Sequence, residues 1–179
     1  MKTVSCFFAA AALMAVLAAP GVNAQQYAGG RHAIATPQGE LVVNSGFVNN
    51  LNAHTFQVYS FLLKPNGADE GWQQVPLVDG TGDTALRFTL STANTADFAL
   101  RDAKVSVAAG KVLLQIAQKK YKDTPYDDDA TVEVRRYELK RLVDEQRWIF
   151  EYVSARNAGR EVTVEQALNA PAPGGKKKK

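Results

Sequence analysis

The run Asn50-Leu51-Asn52-Ala53-His54-Thr55-Phe56 gathers the side chains of this chain best suited to chemistry. An imidazole beside carboxamides can donate and accept hydrogen bonds. Two roles follow for His54. The favoured one is structural: His54 hydrogen-bonds neighbouring backbone and fixes the start of the strand behind it. In the other it contacts a ligand at the rim of a sheet. Trp72 adds an indole beyond the Pro65–Gly71 loop, so Asn52, His54 and Trp72 are the candidate binding residues. Asp123, Asp127, Asp128 and Asp129 form the densest charge cluster. Calcium takes several carboxylate oxygens from one loop. The alternating ligands, central glycine and distal glutamate of an EF-hand are missing, however. The segment reads as a solvated loop facing Lys119, Lys120 and Lys122, and no metal is expected.

Catalysis has little to work with. A serine enzyme of the β-lactamase type needs Ser-x-x-Lys and a second motif such as Lys-Thr-Gly, and neither occurs. A Gly-x-Ser-x-Gly elbow is also absent. A catalytic zinc needs three protein ligands and an open position. The histidines are His32 and His54, and Cys6 is the only cysteine. The expectation is a non-enzyme with no cofactor; a hydrolase of unrecognised type ranks last.

The elements that must position these residues are strands. His54 to Lys64 is the central one, carrying Phe56, Val58 and Phe61. Leu41–Val43 is a short strand interrupted by Asn44-Ser45-Gly46, and residues 25–39 read as a weakly patterned lead-in with a turn at Thr36-Pro37-Gln38-Gly39. Pro65–Gly71 has strong turn chemistry, so Trp72 to Leu77 is expected to pair with the central strand as a hairpin. From Ala85 to Leu90, Leu86, Phe88 and Leu90 alternate with Ala85, Arg87 and Thr89, the cleanest period of two in the chain. Phe98–Val107, Val112–Tyr121, Thr131–Leu142 and Trp148–Ser154 follow, the last two as a closing hairpin. Val162 to Leu168 is predicted as one short helix. These signals predict an all-β chain, an antiparallel β-sandwich of roughly eight strands at residues 25–156. Residues 157–179 are expected to be a flexible tail rich in Pro, Gly and Lys.

Residues 1–24 carry the marks of an export signal: Lys2, an uncharged run from Phe7 to Ala19 too short to span a bilayer, and Val22-Asn23-Ala24 at the cleavage positions. Cleavage after Ala24 would remove Cys6 and leave 155 of the 179 residues, in the periplasm, with no internal disulfide. Setting aside Lys2 and Lys176 to Lys179 leaves 16 of the 21 basic residues against 18 acidic ones, so no nucleic-acid partner is expected. The four terminal lysines contribute at most a weak membrane contact, at ~1 kcal/mol each near an anionic surface.

Asn50-x-Asn52-Ala53-His54-x-Phe56, then Tyr59 and Phe61, then Trp72-x-x-Val75-Pro76, resembles the periplasmic carbapenem self-resistance (CarG-like) proteins. Ala96-Asp97-Phe98-x-Leu100-x-Asp102 fits a further segment, and Tyr121 with Val134-x-x-Tyr137-x-Leu139 is a looser match. The Asp/Asn-rich turn near the mature start of that family is replaced here by Thr36-Pro37-Gln38-Gly39-Glu40. The resemblance implies an exported, non-catalytic β-sandwich that protects by holding a carbapenem-type β-lactam or by shielding a cell-wall target. The alternative is a periplasmic protein that binds or inhibits a cell-envelope enzyme through its loops.

Overall fold

The computed structural model describes residues 26–52, 54–67, 71–79 and 86–170. Residues 1–25 and 171–179, on which the expected export signal and the lysine run fall, lie outside that set.

Two sheets pack face to face as a β-sandwich. The first runs β1 (Gly30–Thr36), β2 (Gly39–Val48), β3 (Phe56–Pro65) and β4 (Gln73–Gln74), with β6 (Leu90–Ser91) also on β3. The second runs β5 (Leu77–Val78), β11 (Arg147–Gly159), β10 (Thr131–Leu142), β9 (Lys111–Lys120), β8 (Ala99–Ala108) and β7 (Ala93–Asn94). Pairing is antiparallel except for the short parallel contact of β5 with β11. Among the described residues, seven strands of seven residues or more thus carry the sandwich expected from the sequence, with four two-residue pieces at its seams.

Alternation decides what each face does. From the first sheet Leu41, Val43, Tyr59, Phe61 and Leu63 point inward; from the second come Ala103, Val105, Leu114, Ile116, Tyr137 and Phe150. Phe61 and Phe150 meet edge-to-face across the two sheets at 5.3 Å. Such contacts add about 0.5–1.5 kcal/mol to plain area burial.

Several expectations are corrected. Asn44-Ser45-Gly46 does not interrupt β2, because Ser45 is buried with its hydroxyl satisfied by Gln57 Oε1 at 2.7 Å and Tyr27 O at 3.3 Å. Much of the lead-in is a full strand, β1, paired with β2 around a tight turn at Gly39. That turn requires glycine: φ is +139°, and a Cβ there would sit 2.1 Å from Lys64 O. The hairpin partner of β3 is only Gln73–Gln74, since Leu77 leaves the first sheet and pairs with Phe150 in the second.

The strong alternation ending at Leu90 is mostly not a ladder strand. Arg87 makes an isolated bridge to Leu77, and Leu90 and Ser91 then pair with β3 before Ala93 joins β8. This segment climbs from one sheet to the other, and its sequence alternation does not sort by burial: Leu90 is buried while Phe88 is 40% exposed.

The chain is also ordered past residue 156, where the tail was expected to begin. β11 runs to Gly159, and α1 (Val164–Asn169) follows at the predicted place. Thr163 and Gln166 form a reciprocal capping box. Val164, Ala167 and Leu168 of α1 cover Ala117, Val132 and Val134 on the outer face of the second sheet.

Candidate functional site

The residues singled out by sequence fall at two separate places. Asn50, Asn52 and His54 lie in the turn before β3 and are exposed. The turn is held by the asparagines: Asn50 Nδ2 donates to His54 O at 2.9 Å, and His54 N donates to Asn52 Oδ1 at 2.8 Å. His54 takes part through its backbone, and its ring makes no hydrogen bond among the described residues. The anchoring role favoured for the imidazole thus belongs to the two carboxamides. Trp72 sits beyond the far end of β3, where Gln73 pairs with Leu63. At about 3.3 Å per residue along a strand, His54 and Trp72 are some 30 Å apart. They do not share a site.

Trp72 has other company. On the outer face of the first sheet, Arg31 of β1 pairs in register with Asn44 of β2, and Val42 of β2 with Leu62 of β3. These four and Trp72 line a recess of about 370 Å³, a volume within the usual range for small-molecule sites. The Arg31 guanidinium lies 5.6 Å from the centre of the Trp72 ring and pairs with Glu40. Beneath them Val42, though it faces outward, is 1% exposed, while Trp72 remains 46% exposed. The recess thus has an apolar floor, an aromatic wall, a cation and a carboxamide. That set matches a small ligand with an apolar body and a carboxylate: the guanidinium donors not engaged by Glu40 take the anion, the indole stacks on the body and Asn44 supplies a donor.

Arg31, Val42, Asn44 and Leu62 escaped the sequence reading. Had the Thr36–Gly39 turn been read as a hairpin, the alternation on either side of it would have placed Arg31 opposite Asn44.

The segments carrying the family resemblance converge elsewhere, inside the sandwich. Tyr59 donates its hydroxyl to Asp102 Oδ1 at 2.8 Å. The same carboxylate accepts the backbone amides of Ala103 at 2.7 Å and Gln26 at 2.9 Å. Tyr27 stands edge-on to Tyr59 at 5.5 Å, and its hydroxyl accepts from Val105 N at 2.9 Å. Burial raises the Asp102 carboxyl above the ordinary carboxylate range, and its three hydrogen bonds only partly offset this. Burial, then the Asp102 charge, pushes Tyr59 well above the usual phenol range. A phenol held in its neutral form and a carboxylate occupied by donors make a structural clasp.

In the acidic loop, Asp127 turns inward on its own segment. It accepts from the amides of Asp123 and Thr124 and from the Thr124 hydroxyl, which holds its carboxyl below the usual value. Among the described residues no cluster of three His, Cys, Asp or Glu side chains is placed to hold a metal.

No family model and no curated protein matches this chain. Among solved structures, the crystal structure of CarG superposes with a TM-score of 0.63 and 17% identity, over 82% of this chain and 94% of that one, so the two share a fold.

Proposed function

We propose that this protein is a carbapenem-resistance-related β-sandwich that acts in the periplasm, after removal of residues 1–24, by holding a carbapenem-type β-lactam stoichiometrically. The recess formed by Arg31, Asn44, Leu62 and Trp72 over Val42 carries this reading. A carbapenem presents one carboxylate on a compact bicyclic body, and the recess offers one guanidinium beside an indole and an apolar floor. The shared fold with CarG and the motif resemblance from Asn50 to Asp102 supply the antibiotic class. Protection by binding, without ring opening, agrees with the lining: none of its five side chains carries a hydroxyl, thiol or amine nucleophile.

The test is a titration of the protein with a carbapenem, followed by tryptophan fluorescence and by the absorbance of the intact ring. The expected result is a saturable change at one equivalent, absent in Trp72→Ala, with ring absorbance preserved. Consumption of more than one equivalent would refute the non-catalytic reading. No saturable change would refute the antibiotic as ligand and turn attention to a cell-envelope enzyme as partner.

A further inference from the structure

The inner face of the second sheet changes character along its strands. Val105, Leu114 and Tyr137 are register partners in the core, and Ala103 lies beside Ile116 one step further. After that step the apolar filling stops. Arg135 stands opposite Ile116, and the next inward row is Arg101, Gln118 and Glu133. The facing part of the first sheet is polar as well, with Ser45, Gln57 and Thr92 buried and bonded to one another. The two sheets therefore meet at this end around charges.

The charges are unevenly matched. Glu133 takes Arg135 at 2.9 Å, with Lys120 at 3.8 Å. Asp79 takes Arg87 at 2.8 Å and the Tyr137 hydroxyl at 2.6 Å. Arg101 is left over. It has no carboxylate and no hydrogen bond among the described residues, and its Nε is shut off from water. Burial, and then the charge of nearby Arg87, lowers its hold on its proton. A half-buried guanidinium without a counter-charge is costly. A ligand oxyanion would remove that cost and find a planar donor fork waiting for it.

We propose that Arg101, with Arg87 beside it and the Gln118 carboxamide next in register, forms an anion site between the sheet ends for a small oxyanion, a carboxylate or a phosphate group. This site is separate from the recess at Trp72, which opens on the outer face of the other sheet, and does not depend on the function proposed for that recess.

Calorimetric titration of the full chain with inorganic phosphate, and separately with acetate, tests the site at constant ionic strength held with chloride. The expected result is saturable binding of at least one probe, weakened at least tenfold by Arg101→Met and unchanged by Lys64→Ala, which removes an exposed cation of the other sheet. Arg101→Met should melt at or above the parent temperature, because it removes an unpaired cation and breaks no bond. Phosphate binding without acetate binding assigns the site to phosphate; comparable binding of both assigns it to oxyanions generally. Failure of both probes to saturate, or equal binding by Arg101→Met, overturns the proposal.

Discussion

Replacing Asp102 with alanine strands three donors at once: the Tyr59 hydroxyl and the amides of Ala103 and Gln26. Asp102 is 4% exposed, so water does not readily take its place. Each buried donor left unpaired costs about 1–3 kcal/mol. The Gln26 amide is only part-buried and can recover some of this, which puts the total at about 3–5 kcal/mol. For a domain of this size that corresponds to a melting point roughly 9–15 °C lower. Asp102→Asn keeps acceptors for Tyr59 and Ala103 and loses mainly the Gln26 contact, so it should cost roughly 1–3 kcal/mol.

The pH dependence separates the parent from both variants. The folded carboxyl titrates above its ordinary 3.8, so the folded protein keeps a proton that the unfolded chain has already released. The stability this group contributes is fully present below 3.8, falls as pH rises through the interval, and is gone above the folded value. The slope stays below about 1.4 kcal/mol per pH unit, the limit set by one proton. Chemical denaturation at a series of pH values reads it directly. The parent should show a descending limb above pH 3.8 that Asp102→Asn lacks. An alanine variant melting within about 2 °C of the parent, or an asparagine variant with the same limb, would refute the clasp.

Four further outcomes are expected. Gly39→Ala should cost about 3–5 kcal/mol, from positive φ and a clash with Lys64 O, and is checked by urea denaturation. Asn50→Ala and Asn52→Ala should each cost ~1 kcal/mol while His54→Ala stays within about 0.5 kcal/mol, because the carboxamides hold the turn; thermal melts of the three variants decide it. Leu168→Ala should cost about 2–4 kcal/mol by opening a cavity over Ala117, Val132 and Val134, measured the same way. Trp72→Ala should leave the melting point nearly unchanged and abolish the fluorescence response to a carbapenem, since Trp72 is half exposed and lines the recess.

The long strands were legible because their alternation coincides with unbroken ladders: Val112, Leu114 and Ile116 pack inward from β9, and β10 and β11 pair as the expected hairpin. Three segments misled, each for a physical reason. Asn44-Ser45-Gly46 looks like a turn, yet Gln57 across the ladder satisfies Ser45 and the strand continues. Arg87 to Leu90 looks like a strand, yet it passes between sheets. Residues 160–169 read as tail with one short helix in it, yet a capping box and three apolar residues seat that helix on the second sheet. The recess was illegible because its residues come from β1, β2, β3 and the loop before β4, and only the hairpin registers bring them to one face. His54 drew attention as the one distinctive side chain in its turn, while Asn50 and Asn52 form the bonds there.

The exchange of partners between the two sheets, with Leu77 on β11, Leu90 on β3 and Ala93 on β8, has a kinetic consequence. β1 to β3 and β8 to β11 are each meanders whose strands are neighbours along the chain, so each can assemble with little loop-closure cost. The parallel rung joins Leu77 to Phe150 of the neighbouring β11 and cannot form until β11 is in place. It belongs to the last stage of assembly. Weakening it, as in Leu77→Ala, should accelerate unfolding and leave the refolding rate almost untouched. The seam between the sheets, more than either meander, then sets how long the native state survives.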